Sequence, residues 1–269
     1  MKPEDFELFQ TMLRQRSGLV LSKDKAYLLE SRLMPVARKY GLKGLDELVL
    51  QVRSKRDEKQ LRDITEAMTT NESSFFRDQR PFDQFRDLIM PRFEKARAAN
   101  KRIRIWSAAC SSGQEPYSLA MVLKQMHPRF ASWTVDILGT DLSTEILDKA
   151  RQGLYTQFEV QRGLPIQQLV KYFSQKGDKW QINDDLKKMV QYREYNLLHD
   201  LKPLGKFDII FCRNVLIYFD QPTKTKVLNQ MAELLPADGV LYLGGAETVL
   251  GITNRFKPLD GQRGIYVPV

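Results

Sequence analysis

Beyond about residue 100 the chain alternates short apolar runs with amphipathic segments of helical period, and few architectures accept that rhythm. Four runs, at residues 103–109, 133–139, 207–212 and 240–244, are nearly continuous in apolar residues and too short for buried helices. They read as strands covered on both faces. Helical segments at residues 116–125, 144–152 and 222–235 separate them. Strand alternating with helix predicts a doubly wound, parallel α/β sheet. The run at residues 264–267 predicts one more strand, closing an edge.

The front of the chain differs in kind. Phe6, Phe9, Met12 and Leu13 recur at helical spacing, and Leu28, Leu29, Leu33 and Val36 do so after Ser22, a good N-cap. Leu45, Leu48, Val49 and Val52 predict a third helix, and Leu61, Ile64 and Met68 a fourth. No strand pattern interrupts them. The expected organisation is an all-helical module over residues 1–75 and a sheet domain over residues 76–269. Within the latter, a small subdomain of about residues 160–195 is inserted between the second and third core strands. It holds a helix at residues 166–173 and two runs, 180–182 and 189–192, expected to form a hairpin or meander.

Composition narrows the class. No stretch approaches the roughly 18–20 apolar residues of a membrane span, and the N-terminal residues lack the apolar run of a secretory signal. Cys110 and Cys212 each sit in a strand-like run, so they make no disulfide framework and suit the reducing cytoplasm. His127 and His199 lie far apart with no ligand-spaced neighbours, which predicts no metal site. The net charge of +9 favours acidic partners without choosing among nucleic acid, anionic lipid and acidic protein.

Polar residues at strand ends mark the candidate site, because ligands of doubly wound sheets bind there. The first strand runs into Ser111-Ser112-Gly113-Gln114-Glu115, small residues that let a backbone approach a ligand, or form a tight turn. The second ends at Asp141, which could accept hydrogen bonds from ribose hydroxyls or cap the following helix. The third ends at Arg213-Asn214, whose polar groups need partners in a buried sheet: a ligand, or a structural salt bridge. Residues 69–78, Thr-Thr-Asn-Glu-Ser-Ser-Phe-Phe-Arg-Asp, lie where the two parts join and read as a ligand-site segment or a plain linker.

Taken together, residues 69–77, 106–109 with 112–118, and 211–220 resemble the CheR family of chemoreceptor glutamate methyltransferases, in the same order and over nearly the whole chain. The resemblance implies S-adenosylmethionine (SAM) as methyl donor, S-adenosylhomocysteine as product, and methyl-accepting chemotaxis receptors as substrate. It places cofactor contacts at Asn71, Ser73, Arg77, Glu115, Asp141, Asn196, Leu197, Arg213 and Asn214, and catalytic residues at Arg104 and Tyr218. Ser73 stands where the family has threonine, keeping the hydroxyl. Gln114 replaces the first of two acids in the glycine turn.

A glutamate acceptor, with an ordinary pKa of about 4.3, is already ionised near neutrality, so no general base is required. A nucleic-acid methyltransferase is the main rival. Amino-group methylators often carry Asn or Asp followed by Pro-Pro and an aromatic after the fourth strand, whereas this chain reads Arg213-Asn214-Val215-Leu216. A non-catalytic scaffold is the other, and the intact set of cofactor contacts speaks against it. The expectation is thus a receptor-directed enzyme of the cytoplasm, with neither nucleic-acid binding nor membrane insertion. The short connection at residues 173–180 further predicts no binding of a receptor C-terminal tail peptide. The basic residues Lys23, Lys25, Arg32, Arg38 and Lys39 are expected to steer acidic receptor segments.

Overall fold

The computed structural model describes residues 2–55 and 57–269. The chain falls into two compact units, one reaching to Thr70 and including Tyr218–Lys224, the other comprising Asn71–Ile217 and Thr225–Val269.

The first unit is helical. Helix α1 (Pro3–Ser17) opens with proline in its first turn beside Glu4 and Asp5, and closes on Gly18 in the left-handed region at φ 77°. These choices suit the free N–H groups and the dipole at its start and the carbonyls at its end. Then come α2 (Ala26–Lys39), α3 (Leu45–Ser54) and α4 (Glu58–Met68). Asp57 caps α4, accepting from the N–H groups of Lys59 and Gln60. Ser22 does not cap α2 as expected: a 3-10 turn, Lys23–Lys25, intervenes, and Ser22 precedes it without a side-chain cap. Phe9, Leu13, Leu29, Leu33, Leu48 and Ile64 are fully buried in one core.

The second unit opens with α5 (Arg80–Gln84) and α6 (Met90–Ala96), joined by a wider helical turn at Phe85–Ile89. They bury Phe82, Phe85, Ile89, Met90 and Phe93. There follow β1 (Arg102–Ala108), α7 (Gln114–Gln125), β2 (Thr134–Asp141), α8 (Thr144–Gln152), β3 (Leu154–Thr156), α9 (Gln157–Gln161), α10 (Ile166–Tyr172), β4 (Phe173–Lys176), β5 (Lys179–Ile182), α11 (Asp184–Lys187), β6 (Val190–Glu194), β7 (Ile209–Cys212), α12 (Gln221–Leu234), β8 (Val240–Leu243), β9 (Phe256–Pro258) and β10 (Ile265–Pro268). The main sheet has the order β6-β2-β1-β7-β8-β10-β9. Its first five strands are parallel, and β10 pairs antiparallel with both β8 and β9. All four residues of β7 and of β8 are buried, as continuous apolar strands require.

Four expectations are corrected. The boundary lies after Thr70 rather than Phe75, because Phe75 and Phe76 are core residues of the sheet unit. The run at 189–192 is not part of a hairpin: β6 pairs parallel to β2 and extends the main sheet. The inserted sheet instead has the order β3-β5-β4, beginning before residue 160 because Leu154–Thr156 supplies an edge. Finally, β10 does not form the edge: β9 lies outside it.

Candidate active site

The parallel strands β2, β1 and β7 are neighbours, so their C-terminal ends share one rim of the sheet. Chain order reverses between β1 and β7, the place where ligands bind in such folds. There β1 runs into a turn with Ala109 (φ 53°), Ser111 (φ 52°) and Gly113 (φ 91°) all left-handed. For the two non-glycine residues this costs about 1–2 kcal/mol each, so neighbours must hold the turn.

They do so from three sides. Asp141, buried at the end of β2, accepts the Ser111 N–H at 2.9 Å through Oδ2 and the Ser143 N–H at 3.0 Å through Oδ1. The Cys110 N–H donates to the Thr140 carbonyl at 2.8 Å. Tyr155 Oη donates to the Ser112 carbonyl at 2.8 Å. At Gly113 a Cβ would stand 2.6 Å from Tyr192 Oη, so conformation and space both demand glycine. Asp141 is not the N-cap of α8; that is Ser143, whose Oγ accepts the Ile146 N–H.

A second network lies across the rim. Arg213, whose side chain is 1% exposed, donates to Glu115 Oε2 at 2.9 Å and to Asp78 Oδ2 at 2.7 Å. It also donates to the Arg77 carbonyl at 2.8 Å. Glu115 Oε1 accepts from Ser107 Oγ at 2.8 Å. Two carboxylates therefore neutralise the buried guanidinium, as a buried charge requires: the salt-bridge reading of Arg213 fits. Its Nε has no hydrogen-bond partner among the described residues.

The segment at residues 71–77 joins both networks. Ser111 Oγ donates to the Asn71 carbonyl at 2.8 Å, and Arg77 donates to the Glu72 carbonyl at 3.0 Å. The hydrogen bond and the charge of Arg162 hold the exposed Glu72 carboxyl below its ordinary range. Ser73 is half-buried between these residues. Asn196 and the buried Leu197 follow β6, where the Tyr195 N–H donates to the Asp141 carbonyl at 2.9 Å. Asn196 folds its Oδ1 onto the Leu198 N–H at 3.0 Å. Asn214 stands just past β7 at φ 59°. The structure thus gathers the expected cofactor residues from five chain segments onto or beside one rim.

One of the two expected catalytic residues, Arg104, lies away from this rim. Arg104 sits near the start of β1, donating to the Lys206 carbonyl at 2.6 Å with its guanidinium 4.5 Å from the Phe207 ring. That loop leads into β7 at the opposite end of the sheet. At about 3.3 Å per residue, the rest of β1 separates Arg104 from the rim by ~13 Å. Arg104 is a clamp on the loop, not a group at the reacting atoms. Tyr218 belongs to the Tyr218–Lys224 segment of the helical unit, where its carbonyl accepts the Val20 N–H at 2.9 Å.

Sequence reasoning missed Glu247. Its buried carboxylate accepts N–H groups from Asn214, Val215 and Leu216 at 2.8–2.9 Å and from Gly244 at 2.6 Å. It pins the ends of β7 and β8 together. An acid just after the Gly244-Gly245 pair was the available signal. Both thiols are inert: burial pushes Cys110 and Cys212 well above the ordinary range, with Asp141 and Glu115 acting the same way on the first and Glu247 and Glu115 on the second.

Two family models cover the chain in order: "CheR methyltransferase, all-alpha domain" matches residues 4–69 and "CheR methyltransferase, SAM binding domain" matches residues 71–265. "Chemotaxis protein methyltransferase 1" of Vibrio cholerae is 41% identical over 266 residues, covering 97% of this chain and 95% of that one. The protein of the same name from Pseudomonas aeruginosa is 39% identical over 266 residues, covering 97% and 96%. The "Chemotaxis protein methyltransferase" of Borreliella burgdorferi is 38% identical over 242 residues, covering 88% and 85%. The all-helical unit, the doubly wound sheet and the strand-end site accord with these matches: the chain belongs to the CheR family of SAM-dependent methyltransferases.

Proposed function

We propose that this enzyme acts in the cytoplasm, methylating glutamate side chains of chemotaxis receptors to give methyl esters and S-adenosylhomocysteine. The observation that carries the reading is the turn after β1, held in a strained conformation by Asp141, Thr140 and Tyr155. Strain of this kind persists where a ligand site needs it.

The residues on the rim fit SAM. A buried carboxylate at the end of β2 is the group that ribose hydroxyls require, and each carboxylate oxygen can accept more than one donor. The small residues 107–113 let main chain approach a nucleoside, and Asn71, Ser73, Arg77, Glu115, Asn196, Leu197 and Asn214 stand on or beside the rim. When bound, SAM supplies an electrophilic methyl group.

What the protein adds is positioning. A glutamate acceptor is ionised at neutral pH, so no residue need take a proton from it. The anion loses its charge as the ester forms, so a strong cationic grip on the acceptor would hold back the reaction by favouring the ground state. Arg213 avoids this because Glu115 and Asp78 already balance it. Orientation of the reacting pair is worth up to about 7–11 kcal/mol in the best intramolecular cases, and the networks around Asp141, Arg213 and Glu247 are the means to provide it.

The receptor is reached without a tail peptide. The hairpin between β4 and β5 is closed by Gly177-Asp178 alone, Gly177 being left-handed, and offers no extra backbone to shape a peptide groove. Among the described residues no helix is long and apolar enough to cross a membrane.

One assay tests both points. The enzyme is incubated with radiolabelled SAM and either receptors, with the C-terminal tail intact or removed, or RNA. Base-labile label on receptors of both kinds is expected. Alkali-stable label, or label on RNA, would refute the acceptor; a large loss of rate on tail removal would refute tail independence.

A further inference from the structure

A cavity of about 360 Å³ opens where β7 and β8 end, lined among others by Asp78, Arg80, Arg213, Asn214, Gly245 and Arg263. Its charge is unbalanced. Arg213 and Asp78 form an ion pair with each other. Arg80 and Arg263 are exposed and make no salt bridge with a carboxylate among the described residues, in contrast with the neighbouring Arg86, which pairs with both Asp83 and Asp87.

The cavity is also built. Gln84 Nε2 donates to Gln262 Oε1 at 2.9 Å and to the Arg263 carbonyl at 3.4 Å, tying α5 to the loop between β9 and β10 that carries Arg263. Glu247 fixes the main chain of Asn214 and Gly244 on the inner wall. At Gly245 a Cβ would meet nothing within 4 Å, so the absent side chain leaves room rather than relieving a clash. A pocket with two unpaired guanidinium groups at its mouth fits a carboxylate-bearing chain.

From this juxtaposition we infer that the cavity is an acceptor-side pocket that receives an acidic segment of the protein substrate, Arg80 and Arg263 pairing with carboxylates that flank the glutamate to be methylated. The inference rests on the acceptor proposed above. It deepens that reading by assigning the specificity-determining contacts to a place beside Asn214, apart from the turn that Asp141 holds. Charge pairs at an exposed mouth act mainly on encounter and on KM, and weaken with salt.

The test uses the full chain with SAM and purified cytoplasmic methylation fragments of chemoreceptors. The double variant Arg80→Ala/Arg263→Ala should raise KM for the fragment at least tenfold at low ionic strength and leave kcat within about threefold. The KM difference should shrink at 0.5 M salt, while calorimetric SAM affinity stays within twofold of the parent. Gly245→Val, which fills the cavity without touching charge, should raise KM by a similar factor at both salt concentrations. A double variant whose KM stays within twofold of the parent at low salt would overturn the pocket. So would equal losses of SAM affinity and receptor affinity, which would place these arginines at the cofactor. A parent enzyme that binds SAM but labels no receptor fragment would refute the acceptor itself, and the pocket with it.

Discussion

Tyr155 Oη lies 2.8 Å from the Ser112 carbonyl and donates to it, although Tyr155 belongs to the inserted sheet and Ser112 to the turn after β1. The tyrosine is fully buried, and burial pushes its hydroxyl far above its ordinary pKa, so it remains a donor throughout the working range. Its ring meets Phe75 edge-on at 5.0 Å, which connects the inserted sheet to the segment bearing Asn71 and Arg77. Tyr155→Phe would keep the packing and leave a buried carbonyl without its donor, a loss of about 1–3 kcal/mol. Urea denaturation should show that loss, and calorimetry should show SAM affinity weakened several-fold. Unchanged SAM affinity with the stability loss present would confine Tyr155 to a structural role.

Asp141 holds the Ser111 and Ser143 N–H groups at once. Asp141→Ala should weaken SAM binding by about 1.5–3 kcal/mol, the value of a hydrogen bond to a charged group. Asp141→Asn retains one acceptor oxygen and should fall between parent and Ala. Calorimetric affinities equal to the parent for both variants would rule out a cofactor role.

Charge steering by the helical unit is best tested at Arg38. Two of the five basic residues expected to steer, Arg32 and Arg38, are not equivalent: Arg38 is exposed, but Arg32 donates to the carbonyls of Met68 and Thr69 and to Thr70 Oγ1, closing the end of α4. Arg38→Glu should raise KM for receptor fragments two- to fivefold at low salt while leaving thermal stability and SAM affinity unchanged. Arg32→Glu should lower stability by about 1–3 kcal/mol. A KM for Arg38→Glu equal to the parent at low ionic strength would remove this face from receptor encounter.

Acid should loosen the base of the sheet. Arg97 makes a two-pronged pair with Asp238 at 2.8 Å and bonds Asp208 at 3.0 Å. The Arg97 hydrogen bond, working against partial burial, holds the Asp238 carboxyl below its ordinary value of 3.8. A depressed carboxylate stabilises the fold above its unfolded pKa, and that contribution disappears as pH falls through the folded one. Asp238→Asn should therefore be about 0.5–1 kcal/mol less stable than the parent at pH 7, modest because the group is part-exposed. The difference should close below about pH 4. A gap independent of pH in urea titrations would show that packing, not charge, is the cause.

Much of this was legible in the amino acids. Apolar runs such as Ile209–Cys212 can be satisfied only by burial on both faces, and helical spacing such as Phe6, Phe9 and Leu13 admits one buried stripe. The parallel sheet and helical unit follow from solvent exclusion acting on local pattern. Arg213 was legible because a charge at the end of a buried strand needs a partner, Asp141 by its place at the end of the second strand, and Glu115 by the family resemblance. What stayed hidden depends on distance in space. That Val190–Glu194 joins the main sheet rather than the insertion is a choice of hydrogen-bond partner, which local pattern does not specify. That Arg104 clamps a loop while Glu247 gathers four N–H groups was decided only when strand direction set which end of the sheet each one faced. Local periodicity determines what must be buried; direction and pairing, which come only with the tertiary fold, decide which buried polar groups meet.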